Sequence, residues 1–190
     1  FLAFKSKKTK PFIETIVTLP LVLPPTVIGF YLIIFFSPET ALGKIFIILT
    51  GEQLIFSFYG LVLASIIYSL PFWVQPLQAS FEKIGRDTIW TSHSLGAGLL
   101  DTFLNVIIPL CKKGFFTSFI ISFAHTLGEF GIVLMVGGGI HGKTKVIAIS
   151  IYDHVEQLSF EKAHILAGGM LILSFIILLT LFYFNKRTVV

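Results

Sequence analysis

Cysteine occurs once, at Cys111, so this chain has no disulfide framework and no cysteine-built metal centre. Charge is scarce as well: only 13% of the 190 residues are Asp, Glu, Lys or Arg, roughly half the usual share. Common catalytic signatures are missing too, with no G-x-S-x-G, no H-E-x-x-H and no paired aspartates inside an apolar run. These absences argue against a secreted disulfide scaffold and an ordinary hydrolase. What fills the space is apolar: 55% of residues are hydrophobic and the mean hydropathy is +0.91.

Four runs are long enough to cross a hydrocarbon core, which takes about 20 residues of helix. They are 12–36, 54–76, 114–136 and 163–184, and they predict a single all-α integral membrane domain over 1–190. Net charge is +4 with a pI near 9.2, a balance that in a soluble protein would point to nucleic acid. Here the basic residues sit in short segments beside the runs, so they report orientation and no nucleic-acid partner is expected. Lys5, Lys7, Lys8 and Lys10 precede the first run, Lys83, Arg86, Lys112 and Lys113 lie between the second and third, and Lys186 and Arg187 form the tail. Those segments hold 10 of the 14 Lys and Arg residues, while Lys44, Lys143, Lys145 and Lys162 fall in the opposite loops. The asymmetry puts both ends and the central segment 77–113 in the cytoplasm. The chain opens Phe-Leu-Ala-Phe without a methionine and runs into lysines, unlike a signal peptide. One or more amino-terminal spans are therefore expected to be missing.

The first run contains Pro20, Pro24, Pro25 and Gly29. Each proline removes a backbone donor, so this span is expected to bend where backbone lines a cavity. Ser118, Ser122 and Thr126 recur every four residues on one face of the third run. With Thr26 they offer hydroxyls to a passing oxyanion, or else let helices approach closely. Glu129 stands at membrane depth in the same run and is expected to pair within the bundle, accept backbone hydrogen bonds or hold a gate closed.

Two motifs mislead. Gly137–Thr144 reads GGGIHGKT and fits the phosphate-cradling pattern G-x-x-x-x-G-K-T. It follows a membrane-length run on the outer side, where neither a parallel sheet nor cytoplasmic ATP is available. His125 and Glu129 stand one turn apart like metal ligands, but His93, His141, His154 and His164 add no recurring spacing. A metal-dependent intramembrane enzyme is the distant alternative.

Between the second and third runs lies WTSHSLGAGLLDTFLNVIIP, residues 90–109. Gly96, Val106, Ile108 and Pro109 resemble the cytoplasmic loop by which ABC-importer permeases grip their ATPases, a pattern of E-A-A, three residues, G, nine residues, I-x-L-P. Trp90, Thr91 and Ser92 replace E-A-A. LPLVLPPTVIGFYL, with Pro24, Pro25, Thr26 and Gly29, resembles a block of molybdate ABC-transporter permeases. LGEFG, with Glu129 and Gly131, resembles another block of that family, in the same order. Sulfate permeases have similar blocks.

The resemblance implies a type I importer transmembrane domain in a bacterial or archaeal cytoplasmic membrane. It implies a pathway for molybdate, or alternatively for sulfate, tungstate or another oxyanion, formed with a second copy of the chain. Partners would be cytoplasmic ATPase subunits, which would hold the ATP and Mg, and an extracytoplasmic oxyanion-binding protein. This chain itself would bind no cofactor and catalyse no covalent step. Within the coupling segment, Ser92 or Ser94 is expected to cap a turn that Gly96 or Gly98 ends.

Overall fold

The computed structural model describes residues 9–186, with side chains as far as residue 183. Lys5, Lys7, Lys8 and Arg187, used above for orientation, lie outside the described residues. Within them the chain is helical and carries no strand.

The first apolar run folds as two helices, α1 (Lys10–Val22) and α2 (Pro25–Phe36), set at 111°. Leu23 and Pro24 are extended between them, with ψ near 140° in each. Pro24 disfavours helix at Leu23, and Pro25 occupies the first turn of α2, where its missing N–H costs nothing. A short helix follows, α3 (Ala41–Thr50), capped by Thr40, whose hydroxyl accepts from Gly43 N at 3.1 Å, and ended by Gly51 at φ +74°.

The second run becomes α4 (Phe58–Ser94), which carries on 18 residues beyond the expected end at Pro76. Ser57 caps it, its hydroxyl accepting from Gly60 N at 3.1 Å. At Gly85 the backbone turns to φ 73°, ψ 162°, a region essentially reserved for glycine, and α4 is kinked there. Then comes α5 (Leu99–Leu110), widened to π-helical turns over Thr102–Ile107. Pro109 supplies the reason: it has no N–H to continue an α-helical ladder, and Ile108 N bonds back five residues to Phe103 O.

After a 64° bend at Cys111 the chain enters α6 (Lys112–Leu127). This helix ends at Leu127, within the apolar run 114–136. Residues 128–130 break it before α7 (Gly131–Gly137). A short helix, α8 (Ile147–Glu156), precedes α9 (Phe160–Lys186), whose apolar window is only 6% buried. By length and composition α4 and α9 could each cross a membrane. The bent pairs α1–α2 and α5–α6 raise the total to four if each is one span.

Packing is antiparallel between α4 and α6. A Cβ on Gly114 would lie 2.1 Å from Ser80 Oγ, and at the other end Ser69 Oγ and Thr126 Oγ1 share a hydrogen bond of 2.9 Å. The apolar core gathers Leu32, Phe36, Leu54, Ala64, Ile132 and Val136 from α2, α4, α7 and the segment before α4. At the opposite end α1 is fastened to α4 by polar groups: Lys10 Nζ lies 2.6 Å from Glu82 Oε1, and Gln78 Nε2 donates to Glu14 Oε1 at 2.5 Å.

Candidate functional site: an exposed elbow and a broken pair of helices

The predicted coupling segment is a helix end, a turn and a second helix. Ser92 and Ser94 lie inside the last turn of α4, so neither caps a following turn. Ser92 instead donates to Ile89 O at 2.9 Å and meets the buried Thr102 hydroxyl at 2.9 Å, tying the end of α4 to α5. Gly96 ends α4. Its φ is +88°, its N–H donates to His93 O at 3.0 Å, and Ala97 N donates to Ser92 O at 3.1 Å. These two bonds are the paired bonds of a Schellman stop, and the left-handed residue they need is the reason for glycine. Open space surrounds the Gly96 Cα, so backbone conformation rather than crowding selects the residue. Trp90 is 63% exposed and Thr91 is exposed, with its hydroxyl turned back to Asp87 O at 2.8 Å. Val106 and Ile108 are half-buried and Pro109 is exposed. The segment therefore presents an aromatic ring and an elbow of fixed shape.

The other predicted cluster forms around two helix breaks. Gly131, the first residue of α7, lies so close to α2 that a Cβ on it would meet Pro25 Cβ at 2.8 Å. A Cβ on Gly29 would meet Met135 Cβ at 2.8 Å. Absent side chains thus let α2 and α7 touch along the line where both spans are interrupted. Pro24 and Thr26 are exposed beside this contact.

The hydroxyl stripe divides. Ser118 and Ser122 are 0% and 3% exposed and lie within the α4–α6 packing, the close-approach role. Thr126 is exposed, donates to Ser122 O at 2.8 Å and bonds to Ser69. Glu129 sits in the break, 5% exposed, and neither carboxylate oxygen has a hydrogen-bond partner among the described residues. Two of its expected roles, an ion pair and backbone acceptance, are thus unfilled within the described residues. His125 stacks on Phe72 with ring centroids 3.9 Å apart and packs near Tyr68 at 5.0 Å. It is an aromatic packing partner, and no group of three potential metal ligands occurs among the described residues.

The phosphate-loop lookalike is a helix stop. Thr144 is buried, its hydroxyl reaching Gly137 O and accepting from Ile140 N at 2.9 Å, with Gly138, Gly139 and Gly142 all at positive φ. No strand precedes it. Lys143 is paired to Glu52 at 3.8 Å and Lys145 to Asp153, so the charge of both is locally balanced. Sequence reasoning missed Gly85. A lone glycine within a helical stretch, KIGRD, was the available signal.

Bent and broken apolar helices meet at glycine contacts, and an elbow with exposed Trp90, Leu95, Leu99 and Leu100 stands off one end. Residues 1–188 match the family model described as "Binding-protein-dependent transport system inner membrane component", and the chain belongs to that family. It is 49% identical over 187 residues to the molybdenum transport system permease protein ModB of Azotobacter vinelandii, covering 98% of this chain and 82% of that one. It is 32% identical over 170 residues to a probable sulfate transport system permease protein cysT of Chlorella vulgaris, covering 90% of this chain and 64% of that one. A bacterial alginate ABC transporter, solved in complex with an alginate pentasaccharide-bound periplasmic protein, shares the fold at a TM-score of 0.69 and 16% identity. The match covers 98% of this chain and 68% of that one. The chain is an inner-membrane transport component, and its family's work is transport rather than covalent catalysis.

Proposed function

We propose that this chain is the permease subunit of an ATP-driven importer and forms the pathway for molybdate. The observation that carries the substrate is the 49% identity to a molybdenum permease along almost the whole chain. Two copies would enclose the pathway, the elbow around Gly96 would seat in an ATPase subunit holding ATP and Mg, and a binding protein would deliver the anion outside. The contact of α2 and α7 at Gly131 and Pro25 supports a gate there, because a bistable pair of short helices can part as rigid bodies. Glu129 is a poor direct ligand for an oxyanion, since two negative charges repel in a low dielectric.

A motor is energetically reasonable. Each charge moved against 100 mV costs about 2.3 kcal/mol, so a dianion entering a negative-inside cell faces roughly twice that before any gradient. The chain, its ATPase and its binding protein, reconstituted in proteoliposomes, should accumulate radiolabelled molybdate only with ATP inside the ATPase compartment. Sulfate, the alternative suggested by the cysT relative, should compete poorly; preferred sulfate uptake would overturn the assignment.

A further inference from the structure

Where α4 and α6 converge near the coupling segment, they border, with Leu110 of α5, an open cleft of about 600 Å³ with a basic lining. Lys83 comes from α4 and Lys113 from α6, joined by the hydroxyls of Ser80, Thr88 and Thr117. No carboxylate contributes to the wall. We propose that this cleft is a binding site for a tetrahedral oxyanion group, either a free ion of the phosphate type or the phosphate of an anionic lipid. The proposal goes beyond the transport pathway and rests on the proposed orientation, which places the cleft on the cytoplasmic side.

Three observations carry it. First, both lysines are free: among the described residues neither lies within 4.0 Å of a carboxylate. The carboxylates closest to Lys83 in sequence, Glu82 and Asp87, are not paired with it. Glu82 is held by Lys10 at 2.6 Å and Gln78 at 3.0 Å, and the kink at Gly85 interrupts the helical spacing that would bring Asp87 beneath Lys83. Second, Ser80 and Thr117 make no side-chain hydrogen bond to another described residue, so two hydroxyl donors accompany two ammonium groups. Thr88 is spent on Ile84 O at 2.8 Å. Four donors lining one cleft, with no carboxylate in its wall, suit the several oxygens of such an anion, with the exposed Lys83 and Lys113 supplying point charge. Third, basic clefts between membrane helices on the cytoplasmic side are suited to lipid phosphates, and the apolar Pro76 and Leu110 in this wall suit a glycerol and its first methylenes.

Position gives the site a consequence. Lys83 lies two residues before the Gly85 kink and Lys113 two residues after the Cys111 bend. An anion bridging them ties together the two helices between which the coupling segment is slung, so occupancy would stiffen the elbow.

The test uses the purified permease–ATPase complex. In uncharged detergent, binding of ³²P-orthophosphate is measured by equilibrium dialysis. In parallel, nanodiscs of phosphatidylcholine with and without phosphatidylglycerol are examined by native mass spectrometry for retained phosphatidylglycerol. The wild-type complex should hold at least one probe, and Lys83→Ala/Lys113→Ala should lower that retention at least tenfold. Lys44→Ala, an exposed lysine on the other side, should stay within twofold. Lys83→Gln/Lys113→Gln serves as a second neutral pair should the alanine pair assemble poorly. Phosphate binding without lipid retention assigns the site to a free ion, and lipid retention without phosphate binding assigns it to a headgroup. Failure to hold either probe, or an equal loss in Lys44→Ala, overturns the proposal. Molybdate uptake by the same complex is read separately, so a failed substrate assignment leaves the cleft result interpretable.

Discussion

Gly96 and Gly131 are glycines for different physical reasons, and substitutions should separate them. At Gly96 the reason is a positive φ with nothing nearby, and Asp is among the residues that tolerate the left-handed region best. Gly96→Asp should therefore cost the isolated domain only about 1 kcal/mol and leave membrane levels normal. In the proposed ATPase seat the same change buries an unpaired carboxylate, a penalty of several kcal/mol. Co-purification of the ATPase should be lost; retained binding with substrate-stimulated hydrolysis would remove this segment from the coupling role. At Gly131 the reason is a neighbour. Gly131→Ala drives a Cβ to within 2.8 Å of Pro25, and overpacking of this kind costs about 1–3 kcal/mol. Gly168→Ala on α9, with no atom within 4 Å, should be neutral or slightly stabilising. Thermal unfolding in detergent compares the two, and equal melting temperatures would mean that α2 and α7 are not held at this distance.

Helices show where sequence pattern was enough and where it was not. Three prolines within six positions made a break in the first span legible, and the break lies at Leu23–Pro24. Pro24→Ala/Pro25→Ala restores two donors and relaxes Leu23, so α1 and α2 should tend to join. The expected outcome is an assembled complex with reduced uptake, and wild-type uptake at equal expression would assign the prolines to packing alone. The break at 128–130 was hidden, because LGEFG keeps the hydropathy of a continuous span while Gly128 ends α6. The long extension of α4 was hidden as well. Residues 78–91 mix polar and apolar positions without the apolar run of a span, whereas α1 and α5 give that stretch something to lean on. Gly85→Ala should test the kink: its conformation costs a non-glycine residue about 1–3 kcal/mol, with no side-chain clash to confuse the result. Spin labels on either side of residue 85 should report a straighter α4, and an unchanged angle would show that neighbouring helices impose the kink.

At the scale of the whole molecule, lysine asymmetry makes a topological prediction. With Cys111 replaced, a cysteine at Lys186 should resist impermeant thiol reagents in intact cells, while one at Lys143 should react. The reverse pattern would put the elbow outside, away from any ATPase. Apolar side chains along α9 and on α1 and α2 are left exposed by the packing of this chain, as suits an apolar surround rather than water.

Membrane residence and helical class were already determined by the sequence, because each rests on local quantities: run length and the placement of proline and glycine. The hydroxyl stripe shows the limit. Spacing put Ser118, Ser122 and Thr126 on one face but left open what that face meets, and only tertiary packing buried the first two against α4 and left the third exposed. The same holds for Lys83 and Lys113, thirty residues apart in the chain and brought to one cleft by the antiparallel pairing of α4 and α6. Periodicity reports which residues share a side of one helix. Which helix lies opposite is decided by the close approaches that glycines permit and by the bends that set each axis, and those exist only in three dimensions.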